Sequence, residues 1–194
     1  MRLTKPRVSQ VPQAQWTDEQ REIMAPMVSG KGLGDQATNL FTTLLNHPRL
    51  MKRWMVFANH VLFKSTLTAR DRELVILRTG WLCQAGYEFA QHVLVARQAG
   101  ISDAEIERLK AGHEAPGWTG VERAILKATD ELHSDTFITD ATYAELTQFY
   151  STEQIMDLVF AVGNYTLVSM ALNTLGVQLD ACIQGLWPKP SLKM

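Results

Sequence analysis

Residues 69–92 read ARDRELVILRTGWLCQAGYEFAQH, and their pattern decides the fold. In the first half, Leu74, Leu77 and Trp81, with Ile76 beside them, recur at helical spacing and give a helix one apolar face. Glu73 lies one turn before Leu77 on that face, so it is expected to point inward. Gln84-Ala85-Gly86 then interrupts the pattern. Gly86 is expected to permit a bend, with a second helix starting at Tyr87. On that helix Glu88 and His92 are neighbours at i, i+4, while Phe89, Val93 and Ala96 belong to a separate, apolar face.

Working outward, the same helical grammar continues. A Ser or Thr followed three residues on by Glu or Gln satisfies two orphan backbone N–H groups reciprocally. Thr17/Gln20, Ser102/Glu105, Thr119/Glu122 and Ser151/Gln154 fit that pattern, and Thr68/Asp71 is a weaker version. With the apolar period they predict helices over 17–28, 38–46, 49–64, 69–83, 86–99, 103–111, 120–134, 140–150 and 152–175. Gly100 stands where a C-terminal cap belongs. No stretch alternates with period two, and no Asn-Gly or Asp-Gly hairpin turn occurs. The expected fold class is all-α, an oligomeric helical bundle.

The flanks differ from the body. Residues 1–34 read as an arm, extended over 1–16 with Pro6 and Pro12, followed by a helix; 35–180 is the main domain and 181–194 a tail. The tail ends Pro-rich and basic, and Trp187 within it is expected to dock on the body or on a neighbouring subunit. From Leu158 to Leu179 no residue is charged, a length that could cross a bilayer. Its Asn, Tyr, Thr, Ser and Gln residues are too many for a lone span. A central helix with part of its surface against a second copy of the chain is expected instead, with Asn164 and Asn173 at that interface.

Composition narrows the function classes. Lys+Arg is 19 and Asp+Glu 20, so there is no basic surplus for nucleic acid. Cys83 and Cys182 are too few for a disulfide framework or a four-thiolate zinc site. The first residues hold no apolar run of the signal-peptide kind, and a cytoplasmic setting is expected. No phosphate-binding glycine loop and no convincing metal spacing among the histidines is present, so no cofactor or metal is expected.

Glu/His pairs at i, i+4 are common on solvated helix faces. If the bend brings Glu73 towards His92, however, two carboxylates and an imidazole converge. Such a cluster can hold protonation states apart, one group as acid and another as base. Cys83 sits at a helix end with no partner thiol nearby in sequence, and reads as a small packed residue.

The segment from Leu67 to His92, with Glu73, Tyr87-Glu88-Phe89 and His92, resembles the carboxymuconolactone decarboxylase family, within the alkylhydroperoxidase D-like superfamily. The stretch from Thr152, TEQIMDLVFAVGNYTLVSMALNTLGVQLD, resembles that family's closing helix; together the likeness spans roughly residues 35–180. The resemblance implies an all-helical oligomer. The redox branch of the superfamily carries C-x-x-C where this chain has Ala85 and Glu88, so disulfide-linked peroxide reduction there is excluded. The decarboxylase branch keeps Glu and His without the thiols.

Two functions are compatible with this. One is a cofactor-independent lyase acting on a small carboxylated lactone or unsaturated acid. His92 would return a proton to carbon, Glu73 or Glu88 would orient it, Tyr87 would bind the carbonyl oxygen, and Arg78, or Arg49 or Arg53, the carboxylate. A proton-transfer isomerase is a close variant. The other is a non-catalytic binding or assembly protein in which the same cluster is structural.

Overall fold

A computed structural model of the chain describes residues 3–28 and 38–187. Among them are nine α-helices and no strand. They are α1 (Asp18–Val28), α2 (Asn39–Leu44), α3 (Pro48–Phe63), α4 (Ala69–Leu82), α5 (Gly86–Gln98), α6 (Asp103–Ala111), α7 (Gly120–Asp135), α8 (Asp140–Leu146) and α9 (Thr152–Leu175). The fold is all-α. The capping boxes at Ser102, Thr119 and Ser151 form in full, and Thr17 and Gln20 exchange the same pair of bonds. Thr68 caps α4 by accepting from Asp71 N. Gly100 takes a left-handed φ of +81° after α5, and Ile101 N reaches back to Ala96 O, which closes that helix.

The centre of the bundle is α4, which packs against α5, α6, α7 and α9. It does not have a single apolar face. Every residue from Glu73 to Gly80 is buried, because neighbouring helices surround it. Leu74, Ile76 and Leu77 join Phe89, Ile125, Leu126 and Leu158 in the main core. Each such aliphatic side chain contributes about 1.5–3 kcal/mol by leaving water. The charges on α4 are tolerated because other elements answer them. Arg78 Nε meets Asp130 Oδ1 at 2.5 Å, and its Nη1 donates to Leu109 O and Lys110 O at 2.9 Å each. Arg70 is held by Glu105, by Glu122 and by Gly100 O.

α9, which carries no charge after Asp157, is not the central helix. It is long and apolar enough to cross a membrane by length and composition, yet half of its most apolar window is buried against the protein. The remainder presents Met156, Val159, Phe160, Leu167 and Met170 as an exposed stripe. Asn164 and Asn173 have work inside the chain rather than at an interface: Trp54 Nε1 donates to Asn164 Oδ1 at 3.1 Å, and Asn173 Nδ2 donates to Cys83 O at 3.0 Å.

Both flanks are tied down. Trp16 packs with Ile23, Met24, Leu45 and Met51 in a second, smaller core. Arg7 N and Val8 N donate to Leu175 O at the end of α9. Trp187 docks on the body, its ring 5.4 Å from Trp81 and 5.3 Å from Phe89. The arm boundary expected near residue 34 and the tail after Trp187 lie outside the described residues.

Candidate active site

The α4–α5 corner sets the geometry. The chain leaves α4 through Gln84, which adopts a left-handed φ of +52°. Gln84 N then bonds Trp81 O and Ala85 N bonds Gly80 O, the paired closure usually given to glycine. The bend therefore sits at Gln84 and not at Gly86. Gly86 is small for another reason: a Cβ there would lie 2.9 Å from the Trp187 indole. The corner folds α5 back along α4 and turns Glu88 and His92 towards it.

Glu73 is fully buried, as its place on the apolar face of α4 predicted. Its Oε2 lies 2.7 Å from His92 Nδ1. Facing a carboxylate, Nδ1 is the protonated nitrogen, which leaves Nε2 as the exchanging one. Oε1 of Glu73 receives Arg72 Nε at 3.3 Å. The edge of Tyr165, from α9, stands perpendicular to the His92 ring at a centroid distance of 5.0 Å.

Glu88 completes the cluster. It is buried on α5 against Gly80, and neither carboxyl oxygen has a hydrogen-bond partner. Burial pushes its carboxyl well above the ordinary carboxylate range, and the neighbouring Glu73 charge pushes the same way. Glu88 is therefore biased towards its protonated form beside the Glu73–His92 pair. Burial likewise raises the Tyr165 phenol well above its ordinary value, the Glu73 charge pushing the same way, so it stays protonated.

Two expected site residues are engaged elsewhere. The Tyr87 hydroxyl donates to Asp180 Oδ2 at 2.6 Å and accepts from Leu40 N and Gln91 Nε2, pinning α2 and the segment after α9 to α5. Arg78 is consumed by Asp130 and the end of α6, and Arg49 and Arg53 are exposed on α3. The structure thus joins Glu73, Glu88 and His92 and does not bring Tyr87 or Arg78 to them. Two neighbours were missed. Arg72 adjoins Glu73 in sequence and was open to notice. Tyr165 comes from a distant helix, and no local spacing marks it.

Cys83 Sγ lies 3.7 Å from His133 Nδ1. Burial lowers the pKa of that imidazole, which keeps it neutral. The remaining histidines serve locally: His47 caps α3, His60 meets Asp157, and His113 meets Asp130. Among the described residues, no three His, Cys, Asp or Glu side chains are grouped to hold a metal ion.

Residues 48–131, which contain Glu73, Glu88 and His92, match the carboxymuconolactone decarboxylase family. The solved structures agree on the architecture. An alkylhydroperoxidase AhpD core, a peroxidase-related protein from Ralstonia eutropha JMP134, superposes with a TM-score of 0.80 at 17% identity, covering 92% of this chain and 94% of that one. The debrominase Bmp8, in complex with 2,3,4-tribromopyrrole, gives a TM-score of 0.75 at 14% identity, covering 94% and 96%. An Agrobacterium tumefaciens protein, described as an antioxidant defence protein AhpD, gives 0.66 at 24% identity, covering 71% and 94%. At such identities the likeness establishes the fold. The sequence has no match among the curated proteins.

Proposed function

We propose that the chain is a cofactor-independent carboxy-lyase of the carboxymuconolactone decarboxylase kind, acting on a small carboxylated lactone or related unsaturated acid. The observation that carries this reading is the buried Glu73–His92 pair with the buried, unpaired carboxyl of Glu88 beside it. Loss of CO2 breaks a carbon–carbon bond and leaves its electron pair on the substrate, delocalised onto the carbonyl oxygen as a dienolate. What the protein must then supply is a proton to carbon and a site that tolerates the developing charge. His92, oriented by Glu73 through Nδ1, delivers that proton from Nε2. Glu88, held towards its protonated form, adds no second negative charge beside an anionic substrate, and the proton that His92 spends is replaced from solvent.

A purely structural cluster is the competing account. Structural polar networks satisfy their members, since an unpaired buried polar group costs roughly 1–3 kcal/mol. Both oxygens of Glu88 are unpaired, which favours a site that a ligand completes. We further propose that the working form is a homo-oligomer, with the exposed stripe of α9 against a second copy.

Turnover of a panel of small carboxylactones in heavy water tests the function. Product carrying deuterium at the former carboxylate-bearing carbon, or its vinylogous position, is expected, with His92→Gln slower by about 10²–10⁴-fold. A folded His92→Gln variant with normal turnover would contradict it.

A further inference from the structure

We infer that Arg72 is the anion-binding residue of this site, and that the ligand it takes beside His92 is a small carboxylate. The inference rests on the reading of Glu73, His92 and Glu88 as a working cluster and names the group that grips its ligand.

The three arginines of α4 divide sharply. Arg70 and Arg78 are occupied, the first by two glutamates and a carbonyl, the second by an aspartate and two carbonyls. Arg72 makes one contact among the described residues, a 3.3 Å bond from Nε to Glu73 Oε1. Both of its terminal nitrogens lack a protein partner there, although the side chain keeps only 15% of its exposure. A guanidinium has five donors in a rigid fork, and on Arg72 the terminal ones keep access to solvent without a protein acceptor, which leaves them open to an incoming anion. The fork matches a carboxylate in a planar, two-bond arrangement.

Its position fits the role. Arg72 adjoins Glu73, which holds His92, and its positive charge acts on the Tyr165 phenol that stands against the imidazole. A carboxylate on the idle edge of Arg72 is therefore placed beside His92. The nearest negative charge the ligand meets is that of Glu73, which Arg72 and His92 already share. A neutral ligand of the same shape would leave the fork as unsatisfied as before.

The test uses the full chain with ¹⁵N-labelled histidine, His92 being assigned by the signal lost in His92→Gln. Crotonate and its neutral twin, methyl crotonate, are titrated at constant ionic strength. Crotonate is expected to shift the His92 ring signals saturably, and the ester is not. Arg72→Gln should weaken crotonate binding by about tenfold or more, and Arg72→Lys, which keeps the charge without the fork, by less. Thermal unfolding of both variants checks that the fold is kept. Equal shifts from acid and ester, unchanged binding in Arg72→Gln, or no saturable shift would each overturn the assignment. None of these outcomes alters the heavy-water test of decarboxylation. Conversely, Arg72-dependent binding in a protein that turns over no carboxylactone keeps the anion site and rejects the lyase.

Discussion

Glu73 and His92 meet at 2.7 Å between α4 and α5, with the carboxylate wholly buried and the imidazole nearly so. Among the described residues Glu73 has one other hydrogen bond, at 3.3 Å from Arg72 on its own helix, and the bond to His92 is the shorter. Their coupling should therefore be large. A double-mutant cycle with Glu73→Gln and His92→Gln, read by urea unfolding, is expected to return about 1–3 kcal/mol of interaction energy. Additive losses would show that the two act independently.

The corner between these helices carries a cost that can be relieved. Gln84 occupies a left-handed position that disfavours side chains by roughly 1–2 kcal/mol. Gln84→Gly should raise stability by up to about 1 kcal/mol, since glycine also loses more backbone freedom on folding. Gly86→Ala should do the opposite, because its methyl would sit 2.9 Å from Trp187. Overpacking of that kind costs about 1–3 kcal/mol. Denaturant midpoints measure both, and altered tryptophan fluorescence in Gly86→Ala would report the displaced indole.

Much of this was legible because it is local. Capping boxes and apolar periods placed all nine helices, and the inward turn of Glu73 followed from its position relative to Leu77. What failed was the inference from charge content to burial. α9, free of charge after Asp157, keeps an exposed flank, whereas α4, which carries Arg70, Asp71, Arg72, Glu73 and Arg78, is the central helix. Its charges are satisfied by residues such as Asp130, Glu122 and His92, up to 52 positions away, and such pairings leave no trace in local spacing. Tyr87 was misjudged for the same reason, its partner Asp180 being 93 positions on. The resemblance of the Tyr-Glu-Phe-x-x-His string pointed to the candidate cluster but said nothing of Arg72 or Tyr165.

The stripe of Met156, Val159, Phe160, Leu167 and Met170 should bury against a second copy of the chain. Light scattering at micromolar concentration is expected to report an oligomer, and Phe160→Lys with Met170→Lys to shift it towards monomer with helical content kept. A monomeric parent protein would remove the claim.

Glu88 makes stability fall with rising pH. Its folded pKa is raised above the ordinary 4.5, so between those values the folded state holds a proton that the unfolded state has lost. Its stability is intact below about pH 4 and declines as pH rises through the window, by about 1.4 kcal/mol per unit. Glu88→Gln removes that titration. The variant should gain over the parent as pH climbs from about 4 towards 7, and a gap that stays constant would contradict the raised value.

The central claim is that a neutral carboxylic acid stands beside the Glu73–His92 pair, and infrared spectroscopy of the native protein in heavy water reads it directly. The account predicts a protonated-carboxyl C=O band that persists at neutral pH, where exposed carboxyls have ionised, and that is missing in Glu88→Gln. A band that disappears as the pH passes through the ordinary carboxylate range, or that survives unchanged in Glu88→Gln, would contradict it.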